Sequence, residues 1–196
     1  MIAEILVASN NLDKILELGV LLSSLPIKLH NLKEFPNVAP TDEDQDTIAK
    51  NAMKKALEAA QGSGMITLAD DTGLFIEALD GAPGVWAARF AGENCSYADN
   101  RKKALLLLDG ASNRRASFKT AVALVAPEGI IAVVEGCVEG EITLVERGES
   151  GFGYDSIFAL DGVTYAEMDV ATKNQMSHRA AAIRNILPIL ENVLQE

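Results

Sequence analysis

The 196 residues are 48% hydrophobic and 23% charged, an ordinary globular balance, long enough for a real core in one domain or in one domain with two lobes. A net charge of −11 disfavours a general nucleic-acid or anionic-membrane surface, which needs a basic stripe, yet leaves room for a small anion in a locally basic pocket. The two cysteines, Cys95 and Cys137, are far apart and argue against a disulfide framework or a zinc site; with no leader-like or membrane-length apolar run, a soluble cytoplasmic protein is expected.

Ile2 to Ala8 is a short apolar run ending in Ser9-Asn10-Asn11, and Asp13 to Leu25 then shows helical spacing at Ile15, Leu18, Leu22 and Leu25. Strand, tight polar loop and helix are predicted. A helix N-terminus collects unpaired N–H groups and the positive end of a dipole, which suits a phosphate. Lys14 in that first turn opposes the dipole, which favours a functional reading, whereas Ser9 and Asn11 are equally explained as caps. Ile27 to Leu32 reads as a second strand. The acidic stretch NVAPTDEDQD, ending at Asp46, reads mostly as a solvated connection. Thr47 to Gln61 is predicted helical, with Ile48, Ala52, Ala56 and Ala59 on one face and Gly62-Ser63-Gly64 at its end.

Next, the strand Ile66 to Ala69 is expected to stop at two adjacent acids, Asp70 and Asp71, followed by Gly73 and a second turn, Gly81-Ala82-Pro83-Gly84. Open α/β sheets place ligand groups at the carboxyl ends of strands. Two acids there can divide the work, one holding a hard cation while the other positions or deprotonates a water. Asp-Asp-Thr-Gly is also good turn chemistry, and taken alone the turn reading is the stronger. Tyr97 to Leu108 is a helix whose cluster Arg101, Lys102 and Lys103 reads as a solvated face. Arg114 to Val125 and Ile130 to Glu139 are β-rich runs joined by a hairpin at Ala126-Pro127-Glu128-Gly129, with Gly136 to Ile142 as a bent continuation. Gly148 to Asp155, GESGFGYD, is a glycine-rich loop before the apolar run SIFAL. Lys173 to His178 leads into a closing helix, Arg179 to Leu194, striped by Ile183, Ile186, Leu187, Leu190 and Leu194. Ser177 is a candidate N-cap there, and His178 and Arg179 are again positive groups where the dipole favours an anion.

Five features stand out in order: SNNLDK, the acidic loop around Glu43, ADDTG, GFGYD and K-x-x-x-SHR. Each is weak alone. Together they resemble the inosine triphosphate pyrophosphatase family, house-cleaning nucleotidases that hydrolyse the non-standard purine triphosphates dITP, ITP and XTP before these enter nucleic acid. The resemblance runs from Ala8 to Arg179. Besides those five it includes Asn51-Ala52 with Lys55-Ala56, and Gly81-Ala82-Pro83-Gly84-Val85 with Ala88-Arg89-Phe90.

The resemblance implies an α/β fold: an elongated, two-lobed mixed sheet flanked by helices with a central cleft, one nucleotide pyrophosphatase domain over residues 1–196, forming a homodimer. It implies that Ser9, Asn10, Asn11 and Lys14 bind the triphosphate together with Lys55, and that Thr72 keeps the hydroxyl of a more usual serine. Glu43, counted back from Asn51-Ala52, and Asp71 would hold Mg²⁺, with Asp42 and Asp44 as adjacent candidates. Asp71 would also be the general base, and Lys14 and Lys55 would serve the leaving pyrophosphate. Phe152, Gly153, Tyr154 and Asp155 would line the base pocket, and Lys173, His178 and Arg179 would complete purine recognition. Asn10 stands where glycine is common and tolerates left-handed backbone.

Physical chemistry supports this independently. Cleaving a nucleoside triphosphate needs cations on the leaving group, since phosphoryl transfer is mainly positioning and charge stabilisation. A donor aimed at the purine O6 would face a second donor in adenine and be left unpaired at a cost of about 1–3 kcal/mol. The rival expectations are a Maf-type pyrophosphatase acting on pyrimidine or modified nucleotides, and a non-catalytic nucleotide-binding protein.

Overall fold

The computed structural model describes residues 2–195. Strand β1 (Ala3–Val7) feeds helix α1 (Leu12–Leu21), whose start is set by Asn11: its side chain accepts the N–H groups of Asp13 and Lys14. This is the capping interaction expected of an amide at that position. Strand β2 (Ile27–Asn31) runs parallel to β1 from Ala3 opposite Ile27 to Val7 opposite Asn31. Helix α2 (Ile48–Ser63) is capped by the Thr47 hydroxyl on the Lys50 N–H and ends at Gly64, whose φ of 72° suits only a residue without Cβ crowding.

Strand β3 (Thr67–Ile76) is parallel to β1, with Leu6 opposite Thr67 and Val7 opposite Leu68. Contrary to expectation, β3 does not stop at the acid pair. It passes through Asp70, Asp71, Thr72 and Gly73 and only then pairs antiparallel with the short β4 (Pro83–Gly84), Leu74 opposite Gly84. The turn reading of Asp-Asp-Thr-Gly is therefore overturned. Gly73 is required by close approach, because a Cβ there would strike the Phe75 ring and the Gly84 carbonyl.

Helix α3 (Tyr97–Leu107) starts on a reciprocal cap between Ser96 and Asp99. Strands β5 (Arg115–Ala126) and β6 (Gly129–Ile142) are joined by Pro127 and Glu128, close to the hairpin expected. Strands β7 (Phe158–Leu160) and β8 (Val163–Thr164) follow. Helix α4 (Val170–Met176), not foreseen as an element, precedes α5 (His178–Val193). The hydrogen-bonded order is β2-β1-β3-β5-β6-β7-β8, with β4 on β3, a mixed sheet accompanied by helices.

The chain forms two compact units. The first runs to Asp71 and adds Thr120–Gly136 and the residues from Arg179 on; the second is Thr72–Lys119 with Cys137–His178. Each has its own core. In the first, Ile5, Val7, Leu18, Leu22 and Leu68 meet Val122, Leu124, Ile183, Ile186 and Leu190, so the α5 stripe is spent there. In the second, Leu74, Ile76, Leu108, Phe118, Ile142, Phe158 and Tyr165 cluster. Burying each such side chain contributes about 1.5–3 kcal/mol. Among the described residues no helix is long and apolar enough to cross a membrane.

Candidate active site

In the first unit, β3 delivers two neighbouring carboxylates into different surroundings. Asp70 is fully buried, and its Oδ2 accepts from Lys14 Nζ at 3.2 Å and from Arg179 Nε and Nη2 at 3.1 and 3.0 Å. Arg179 Nη1 is held by the Glu17 carboxylate. Burial alone would raise the Asp70 pKa, but Lys14, Arg179 and Lys55 outweigh it and hold the carboxyl well below the usual range. Burial also draws the Lys14 ammonium down, although Asp70 opposes this. The Asp70 Oδ1 atom is buried without a hydrogen-bond partner among the described residues.

Asp71 is held more lightly. Its Oδ2 accepts from Asn51 Nδ2 at 3.1 Å and its Oδ1 from Lys55 Nζ at 3.3 Å. Lys55 Nζ also donates to Glu43 Oε1 at 2.5 Å, and the Asn51 carbonyl oxygen accepts the Gln45 N–H at 3.0 Å. Helix α2 thus ties the acidic loop to Asp71 through two side chains one turn apart. Burial pushes the Asp71 carboxyl up despite Lys55 and Lys14. Burial pulls Lys55 down, but Asp71, Glu43 and Asp70 together outweigh it and raise its pKa.

These surroundings give the two acids different partners. Asp70 is the counter-ion of Lys14 and Arg179. That also explains the positive first turns of α1 and α5, where carboxylates supply the anion. Ser9 Oγ accepts the Asn11 N–H at 3.2 Å, so Ser9 and Asn11 both shape the loop before α1. Asn10 is exposed and is not among the positive-φ residues, so the loop makes no use of left-handed backbone there.

The second unit collects most of the remaining expected residues. Asp155 Oδ2 accepts the Phe152 N–H at 2.8 Å and Lys173 Nζ at 2.5 Å, while that ammonium also lies 5.0 Å from the Phe152 ring centre. Gly151 has φ +77°, and a Cβ on it would run into the Asp155 carboxylate. Tyr154 turns inward: its hydroxyl donates to the Ala87 carbonyl at 2.8 Å, and burial pushes its pKa up. Its side chain belongs to the core. The His178 ring stacks on Phe118 at 4.4 Å, and Thr72 is half-buried on β3.

The basic cluster of α3 is not a solvated face. Lys102 is exposed, but Arg101 Nη1 donates to the Gly153 carbonyl at 2.9 Å and Lys103 Nζ to the Phe90 carbonyl at 2.6 Å. Carbonyl oxygens left open by irregular backbone recruit these cations.

The Ham1 family model matches residues 5–189. The chain belongs to the Ham1 family. It is 42% identical over 194 residues to the dITP/XTP pyrophosphatase of Desulforamulus reducens, covering 97% of this chain and 96% of the relative. It is 40% identical over 183 residues to the dITP/XTP pyrophosphatase of Geobacter sulfurreducens, covering 91% and 92%. Among solved structures, a HAM1 protein from Coxiella burnetii superposes with a TM-score of 0.88 at 40% identity, covering 97% of this chain and 99% of that one. The Staphylococcus aureus Ham1 protein gives 0.86 at 36% identity, covering 96% and 98%. The family agrees with the resemblance carried by the five motifs.

Three residues of this Ham1 chain had no role in the sequence reading. Glu17 clamps Arg179, Asn51 orients Asp71, and Arg101 holds the Gly153 carbonyl. Asn51 left a signal, being an amide beside the apolar face of α2. So did Glu17, an acid one turn beyond Lys14 on a helix that is largely apolar. Arg101 left none apart from its neighbours.

Proposed function

We propose that this chain is a hydrolase that converts dITP, ITP and XTP to the monophosphate and pyrophosphate, keeping them out of nucleic acid. One observation carries the reading: two half-buried lysines, Lys14 and Lys55, each facing one member of an adjacent acid pair. Burying ammonium groups is costly and is repaid when a polyanion must be met by charges already in place. In this reading Lys14 and Lys55 meet the phosphates, with the Ser9-Asn10-Asn11 loop shaping the approach. Thr72 adds a hydroxyl to the substrate set. Asp71 takes the proton of the attacking water; burial raises its basicity, and Asn51 fixes its plane. Asp70 stays ionised and keeps Lys14 and Arg179 in position.

Phe152 offers a ring face to the base, the Gly153, Tyr154 and Asp155 backbone fixes its edge, and Lys173 and His178 complete purine recognition. Arg179 serves that side of the reading while committed through its guanidinium to Asp70 and Glu17.

The acids also fit Mg²⁺. Glu43 and Asp71 offer hard oxygen donors that a single cation, Lys55 Nζ, already bridges. Among the described residues no three His, Cys, Asp or Glu side chains are grouped as a metal cage. Two carboxylates with room for phosphate oxygens suit Mg²⁺, which dehydrates reluctantly and shares its shell with substrate. Bound there, the ion would neutralise charge on the phosphates. The chain is further read as a cytoplasmic homodimer, with neither nucleic acid nor membrane as partner.

The deciding assay is product release from ITP, XTP, dITP, ATP, GTP and pyrimidine triphosphates, with Mg²⁺ and then with EDTA. Rapid, metal-dependent formation of IMP or XMP with pyrophosphate, and little from ATP or GTP, supports the reading. Preference for a pyrimidine triphosphate, or binding without turnover, overturns it.

A further inference from the structure

Resting on that reading, we infer that Arg101, with Tyr97 one turn before it on α3, is a positioning residue for the base side of the substrate. The two reach the glycine-rich loop side by side. Arg101 Nη1 holds the Gly153 carbonyl at 2.9 Å, and its Nε is fixed by Glu146 Oε2 at 2.8 Å, which also accepts from Ser156 Oγ at 3.0 Å. The Tyr97 ring lies 6.0 Å from the Phe152 ring at a 42° tilt. Residues four apart on a helix share a face, so one turn of α3 braces both the ring and the peptide of adjacent loop residues. That turn is itself stiffened by the Ser96–Asp99 cap.

The loop needs this brace. Gly148, Gly151 and Gly153 all have positive φ, giving the chain wide conformational freedom. A polar hollow of about 130 Å³, bounded by Arg101, Glu146 and residues 148–153, lies beside the loop. On the loop's own side, Asp155 and Lys173 fix Phe152. Gly153 has only the guanidinium: Arg101 is the one side chain that bonds its backbone among the described residues. A peptide unit is planar and trans, so turning the Gly153 carbonyl toward Arg101 turns the Tyr154 N–H the opposite way. Among the described residues that N–H donates to no acceptor. Arg101 therefore aims an unused donor, and Tyr97 limits the tilt of the ring beside it.

The test is calorimetric titration of the full-length protein, in Mg²⁺, with IMP and separately with inorganic pyrophosphate, for wild type, Arg101→Leu and Tyr97→Ala. Loss of a charge-assisted hydrogen bond that preorganises a loop should weaken IMP binding about tenfold in Arg101→Leu, with a smaller loss in Tyr97→Ala and pyrophosphate affinity unchanged. Turnover should show the same split, KM for ITP rising more than kcat falls, and the preference for ITP over ATP should shrink. If Arg101→Leu does not fold, Arg101→Lys keeps the charge but cannot span Glu146 and Gly153 together, and should reproduce the split in milder form. Equal loss of both ligands, or of neither, overturns the role given to Arg101 while wild-type binding leaves the nucleotide reading intact. Wild-type protein that binds neither ligand sinks both.

Discussion

Asp70 and Asp71 are chemically identical neighbours on one strand, and the structure gives them opposite surroundings. The same substitution should therefore break different things. Asp71→Asn should abolish turnover, by about 10²–10⁴-fold in kcat, while ITP binding measured by calorimetry stays largely intact. Near-normal turnover would remove Asp71 from the mechanism. Asp70→Asn leaves the half-buried Lys14 and the buried Arg179 with a neutral amide in place of their shared counter-ion. Stripping one partner from a buried ion cluster costs about 3–5 kcal/mol, so its denaturation midpoint should fall well below that of Asp71→Asn. Similar midpoints would show that Asp70 is not the structural anion. The acid pair was legible in the sequence; its division of roles was not, because Arg179 comes more than a hundred residues later and no local pattern announces that partnership.

At the scale of elements, the glycine after the acid pair is a packing residue. Gly73→Ala would drive a methyl into the Phe75 ring and the Gly84 carbonyl, overpacking that costs about 1–3 kcal/mol, read as a lowered unfolding midpoint in urea. An unchanged midpoint would mean that β4 yields freely. Thr47→Ala removes the α2 cap and should cost about 1 kcal/mol in the same measurement. Most helices were readable because their apolar stripes and caps are local: Thr47, Gly64 and the α5 stripe all stand where spacing placed them. The course of β3 was not, because charges inside a strand read as its end unless buried cations are known to meet them. Strands β4 and β8 and helix α4 are too short for periodicity to mark. Lys103 and Arg101 looked like solvent-facing charge because their partners are backbone carbonyls, which no sequence displays.

For the whole molecule, metal and fold should separate. Lys55 already bridges Glu43 and Asp71, so the fold does not depend on an ion to neutralise them. EDTA should therefore stop turnover while leaving the melting temperature nearly unchanged, checked by paired activity and thermal scans. A large fall in melting temperature would make the metal structural. The nested path of the chain also sets an order of assembly. The second unit is complete at His178, whereas the first still lacks everything from Arg179 on, including the helix that fills its core. On the ribosome, the unit begun first must close last. Until α5 leaves the exit tunnel, Asp70 lacks the Arg179 guanidinium and has only the two lysines Lys14 and Lys55 near it, and the apolar surface of β1, β3 and α1 stays open to chaperones. A stop codon just before Arg179 would therefore leave a nascent chain with one folded half and one half awaiting its counter-charge.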